Sequence, residues 1–69
     1  MKNCFDKRLR ELLKENDMTQ KELAKKIGVS QACVTYWING QKQPTAENVY
    51  SVAKAFETSA DYLLGLSDY

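Results

Sequence analysis

Sixty-nine residues, 43% of them hydrophobic and 28% charged, suit one small folded domain, because a chain this short hides only about 60% of the surface it exposes when unfolded. There is no histidine, which removes the His general base, the His-based triad and the HExxH zinc site. Ten Lys and Arg against nine Asp and Glu leave a formal net charge of +1, which at first sight argues against a nucleic-acid partner. Cys4 and Cys33 are too few for a disulfide framework or a zinc site built without histidine. Two thiols, no signal peptide and no apolar run near the roughly 20 residues of a membrane span read as a cytoplasmic, non-enzymatic protein.

Phe5, Leu9, Leu12 and Leu13 recur at i, i+4, i+7 and i+8 and predict a first helix with one apolar face, Lys7, Arg8, Arg10, Glu11 and Lys14 lying opposite. Asn16 and Asp17 end it with turn chemistry. Thr19-Gln20-Lys21-Glu22 is a capping box that opens a second helix, with Met18 and Leu23 as its hydrophobic staple and Gly28 as its left-handed stop. Ser30 caps a third helix, again with a staple pair, Val29 and Val34, and Asn39-Gly40 closes it. Pro44 limits helix growth from either side of the polar loop 41–44. Thr45 caps a fourth helix, whose first turn holds Glu47 and whose buried stripe is Val49, Val52, Ala53 and Phe56. Thr58-Ser59 caps a short fifth helix from Ala60 to Leu64, stopped by Gly65. The expected fold is all-α: five short helices around one core, in a single domain 1–69 without repeat or linker.

The stretch from Gln20 to Asn39 has the pattern of a helix-turn-helix, a unit in which two helices cross at about 90–120° over a turn of three or four residues. Such a corner needs a small residue where the helices touch, here Ala24, and one tolerant of positive φ, here Gly28. Leu23, Ile27, Val29, Val34 and Trp37 fill the inner angle. Gln31, Ala32, Thr35 and Tyr36 then share the outward face of the third helix.

With these features in place, the chain resembles the phage repressor/Cro-like (Xre-type) helix-turn-helix family from Arg8 to Gly65. The motifs are MTQKELAKKIGVS, the WxNG ending of the third helix and the SADYLLG close. The resemblance implies a compact five-helix, repressor-like DNA-binding domain whose third helix enters the major groove, commonly as a dimer on a palindromic operator; residues 66–69 are then a short C-terminal tail. One position pair departs from the family. Its usual Glu between Trp and Asn, paired with an Arg in the first helix, is replaced here by Ile38 and Leu13. Exchanging a buried ion pair for an apolar pair is often neutral or stabilising, whereas losing one partner costs about 3–5 kcal/mol, so Leu13 and Ile38 are expected to touch.

Gln31 suits adenine N6/N7, Ala32 a thymine methyl, and Thr35 and Tyr36 stand beside them, so these four form the expected base-contacting set. Thr19, Gln20 and Ser30 lie at helix N-termini, where free amides favour phosphate, although capping alone also accounts for a Thr or Ser there. Asn39, Gln41, Lys42 and Gln43 match family phosphate contacts, Lys42 being the only cation among them. Trp37 is read as core, Cys33 as a partly buried filler, and Lys21, Lys25 and Lys26 as a solvated face. Glu57, Thr58, Leu64, Leu66 and Tyr69 are the candidate dimer surface, against the plainer reading that Leu64 completes the monomer core and the tail frays.

The expected protein is therefore a sequence-specific double-stranded DNA-binding transcriptional regulator, a repressor at an operator, nucleoid-associated when bound. It is expected to act as a homodimer formed before or upon DNA binding, with no cofactor, metal, membrane or small-molecule ligand. The rival reading is an antitoxin-like or adaptor module for protein interaction on the same fold, distinguished by salt, because phosphate-driven binding weakens steeply with it. The near-neutral charge is unevenly spread: residues 1–45 carry nine cations and five anions, residues 46–69 one cation and four anions.

Overall fold

Residues 3–68 are described by a computed structural model, in which the apolar face predicted for the first helix is the middle of the core. That helix, α1 (Phe5–Glu15), buries Phe5, Leu9, Leu12 and Leu13. The ring of Phe5 meets Trp37 edge to face, with centroids 5.8 Å apart and planes at 86°, the arrangement that aromatic quadrupoles favour. The chain leaves α1 through Asn16, whose side-chain amide donates to the Leu12 carbonyl at 2.8 Å, and Asp17, which takes a left-handed φ of 50°.

The capping box expected at Thr19 is complete. Its hydroxyl accepts from the Glu22 amide at 3.0 Å and the Glu22 carboxylate accepts from the Thr19 amide at 2.9 Å, which fixes the start of α2 (Gln20–Ile27). Gly28 stops α2 with φ 78°, its amide donating to the Ala24 carbonyl. Two residues later the Ser30 hydroxyl accepts from the Cys33 amide at 3.1 Å and starts α3 (Gln31–Ile38). Ala24 is 3% exposed between the two helices, so a longer side chain there would push them apart.

Thr45 caps α4 (Ala46–Ala55) and Ser59 caps α5 (Ala60–Leu64), each hydroxyl accepting from the amide three residues on. Among the described residues these five helices are the regular structure, and none is long and apolar enough to cross a membrane. The first helix lies across α3 and α5, while α4 packs on α2 and α5. This leaves one side of α3 uncovered and is what exposes the site described below.

Two details differ from the pattern expected. Arg8 is half-buried rather than part of a solvated face: its guanidinium stacks 4.2 Å over the Tyr62 ring and donates to the Ser67 carbonyl at 3.5 Å, tying α1 to α5 and the tail. Phe56 is only half-buried, because α4 ends on it and its backbone serves as the C-cap. The same seam explains Gly65. Besides its φ of 83°, a Cβ there would stand 2.8 Å from Cys4 Sγ, so α5 can end against the start of α1 only with glycine.

Candidate functional site

The outward face of α3 is built as the periodicity requires. Val34, Trp37 and Ile38 point into the core, which turns Gln31, Ala32 and Tyr36 to solvent and leaves Thr35 half-exposed at the edge facing α2. Gln31, Ala32, Thr35 and Tyr36 line one shallow depression. Of the four, only Gln31 and Ala32 present side chains that no other residue engages by a described hydrogen bond or ring contact.

Thr35 is engaged toward α2. Its hydroxyl donates to Gln20 Oε1 at 2.7 Å, with the Gln31 carbonyl 3.1 Å away as a second acceptor. A hydroxyl has a single proton, so what Thr35 offers outward is a methyl group and a lone pair, not a donor. The same bond engages the oxygen of Gln20, while its amide N–H groups have no described partner. The first residue of α2 and the middle of α3 are thereby locked together.

Tyr36 is engaged at the other end. The chain folds back after α3, and the amides of Gln41 and Lys42 both donate to the Tyr36 carbonyl, at 2.9 and 3.4 Å. Lys42 Nζ then lies 4.8 Å from the centroid of the Tyr36 ring, within cation–π range. Asn39, the C-cap of α3, is exposed, as are Gln41 and Gln43. Gln43 has a partner that sequence reasoning missed: its Oε1 accepts from Asn3 Nδ2 at 3.1 Å, while Asn3 Oδ1 accepts from the Phe5 amide at 3.0 Å. Asn3 so connects the start of α1 to the loop after α3, and nothing in local sequence pattern signals a bond across forty positions.

A second depression, lined by Arg10, Leu13, Met18, Thr19, Gln20 and Ile38, lies where α1 meets the start of α2 and the end of α3. Leu13 and Ile38 are both buried there, 7% and 8% exposed. Beside them Arg10 Nη1 donates to the Ile38 carbonyl at 3.0 Å. A guanidinium thus satisfies a carbonyl at the end of α3, where the helix dipole favours positive charge. Sequence reasoning placed Arg10 on a generic polar face; the signal available was its position three residues before Leu13, on the next turn of the same edge.

Thr19 and Ser30 cap their helices, which uses a lone pair of each hydroxyl and leaves its proton able to donate outward. The backbone amide of Thr19, and secondarily its side chain, hold the Glu22 carboxyl below the usual carboxylate range. Glu22 is therefore anionic at neutral pH and engaged in the cap. Cys33 is half-buried against the core and Trp37 is 3% exposed. Among the described residues no group of three or more Cys, Asp or Glu is placed to hold a metal.

The described candidate dimer residues follow α4, with Leu64 in α5. Glu57 is exposed with φ 54°, Thr58 is half-buried, Leu64 is half-buried against the core and Leu66 is 76% exposed. Tyr69 lies outside the described residues.

A helix-turn-helix family model matches residues 9–63. The chain is 34% identical to the HTH-type transcriptional regulator YobD of Bacillus subtilis over 93% of its own length, but spans only 57% of that regulator. It is 35% identical over 83% of its length to repressor protein C2 of Salmonella phage P22, of which it spans 26%. The crystal structure of the P22 c2 repressor protein, solved in complex with a synthetic operator, superposes with a TM-score of 0.82 at 33% identity, covering 87% of this chain and 91% of that one.

Proposed function

This chain belongs to the helix-turn-helix family, in its phage-repressor and Cro-like (Xre-type) branch, and from that premise we propose that it is a sequence-specific, double-stranded DNA-binding regulator of transcription acting as a repressor in the cytoplasm. The observation that carries the reading is the uncovered face of α3, where Gln31 and Ala32 stand free in a shallow depression flanked by the start of α2 and the loop after α3. The third helix enters the major groove, Gln31 pairs with an adenine edge and Ala32 meets a thymine methyl. Gln20, with its oxygen held by Thr35, offers donors to a phosphate; Thr19 and Ser30 offer hydroxyl protons, and Lys42 the charge. Asn39, Gln41 and Gln43 complete the backbone contacts.

The protein performs no chemistry in this reading. It acts by occupying a site, and two copies on half-sites about 34 Å apart supply the specificity that one α3 lacks. The pair meets through Glu57, Thr58, Leu64, Leu66 and Tyr69. The test is selection of bound duplexes from a random pool, followed by affinity measurement of Gln31→Ala on the recovered site. Enrichment of an inverted repeat, with Gln31→Ala weakening it by about 1–3 kcal/mol and relaxing one base pair per half-site, is the expected result. A pool that shows no enrichment, together with binding indifferent to salt, would sink the proposal in favour of a protein-interaction module.

A further inference from the structure

The sequence pattern assigns Tyr36 to bases and Lys42 to a phosphate, yet the fold joins them. We propose that Tyr36 is a positioning residue for Lys42: its ring holds the ammonium at the end of the α3 face, ready for one phosphate, and base reading falls to Gln31 and Ala32. This rests on the DNA-binding reading and refines it. Three observations carry it. The ammonium lies 4.8 Å from the ring centroid. The two amides bonded to the Tyr36 carbonyl belong to Gln41 and to Lys42 itself, so the backbone and side chain of the lysine are both fixed on the same residue. Tyr36 is 39% exposed and Lys42 is exposed as well, so the pair stands at the surface, open to a phosphate.

The physical gain is preorganisation. A free lysine side chain carries large rotamer freedom that must be lost when it meets a phosphate, and a ring that holds it beforehand removes part of that cost. Among the described residues, the other two cation–ring pairs serve different ends. Arg8 on Tyr62 ties α1 to α5, and Lys54 on Tyr50 is a neighbour pair along α4, 5.6 Å apart. Of these three pairs, Tyr36–Lys42 alone joins α3 to the loop proposed to hold a phosphate.

The experiment measures affinity by fluorescence anisotropy across a salt series, on the selected duplex and on a scrambled one, for wild type, Tyr36→Phe, Tyr36→Leu, Tyr36→Ala, Lys42→Ala and the double Tyr36→Ala/Lys42→Ala variant. Tyr36→Phe keeps the ring and should bind as wild type. Tyr36→Leu keeps bulk without the aromatic face; it and Tyr36→Ala should lose about 2- to 5-fold on both duplexes. The salt slope of Lys42→Ala should fall by about one, those of Tyr36→Leu and Tyr36→Ala by no more than that, and the double variant should bind no more weakly than Lys42→Ala. In the free protein, the Lys42 ε-methylene protons should show a ring-current shift that Tyr36→Leu abolishes. Additive losses in the double variant, absence of that shift, or a Tyr36→Ala variant that loses preference at one base pair with its salt slope intact would overturn the pairing while leaving DNA binding standing. Wild-type protein that binds no duplex would overturn both.

Discussion

A threonine and a glutamate three residues apart decide where the second helix begins. The reciprocal bonds between Thr19 and Glu22 satisfy two of the amides that every helix start leaves without partners. Because the Thr19 amide depresses the Glu22 carboxyl below its unfolded value of about 4.3, the stabilisation is present above that pH and is lost as pH falls through the folded value. Glu22→Gln keeps an acceptor for the cap but cannot titrate. Urea melts should therefore show wild type ahead of Glu22→Gln at neutral pH, with the gap closing below pH about 4; a gap that stays constant down to pH 3 would refute the account. Gln20 belongs to the same scale. Its proposed role as a donor rests on one hydrogen bond to Thr35, and local sequence could not show which half of the amide is occupied.

At the scale of elements, the seam between α1 and α3 is where the resemblance implies an ion pair exchanged for apolar residues. Leu13 and Ile38 line it as apolar residues, and Arg10, one turn earlier, caps the end of α3 through the Ile38 carbonyl. That guanidinium makes the two reverse substitutions unequal. Leu13→Arg places a second cation beside Arg10 with no anion supplied, and should cost about 3 kcal/mol in a denaturant melt. Ile38→Glu places its carboxylate near a guanidinium already in position and should cost clearly less. The double variant should recover most of the Leu13→Arg loss, giving a coupling energy readable from the cycle. Equal costs for the two single variants would mean that Arg10 does not serve the seam.

At the scale of the whole molecule, size and charge constrain assembly together. The described body measures 26 × 23 × 20 Å, so two copies centred on half-sites about 34 Å apart meet over little area. Small interfaces of that kind give weak association in solution. Sedimentation should find a monomer at micromolar concentration, and binding to the selected inverted repeat should be cooperative. Adding five base pairs between half-sites turns one copy to the opposite side of the duplex and should abolish that cooperativity without changing single-site affinity. A stable dimer in the absence of DNA would contradict this. The uneven charge fits the same picture: Lys42 and Arg10 stand near the proposed DNA face, while Glu57, Asp61 and Asp68 cluster in the acidic final third of the chain. A net charge of +1 thus conceals an uneven distribution of charge along the chain.

Most of this fold is legible in the sequence because its instructions are local. Caps at Thr19, Ser30, Thr45 and Ser59, stops at Gly28 and Gly65, and apolar spacing along α1 each act within about one helical turn, where identity and position suffice. The outward face of α3 follows from the same periodicity. What the tertiary structure decided are bonds between groups distant along the chain: Asn3 to Gln43, Arg10 to the Ile38 carbonyl, Thr35 to Gln20, Arg8 on Tyr62 and Lys42 on Tyr36. No propensity encodes these, since each depends on where two helices or a helix and a loop come to rest against each other. Sequence alone therefore determined the helices, the corner and the residues turned outward. Packing determined which of those residues remain free to meet a partner and which are already held.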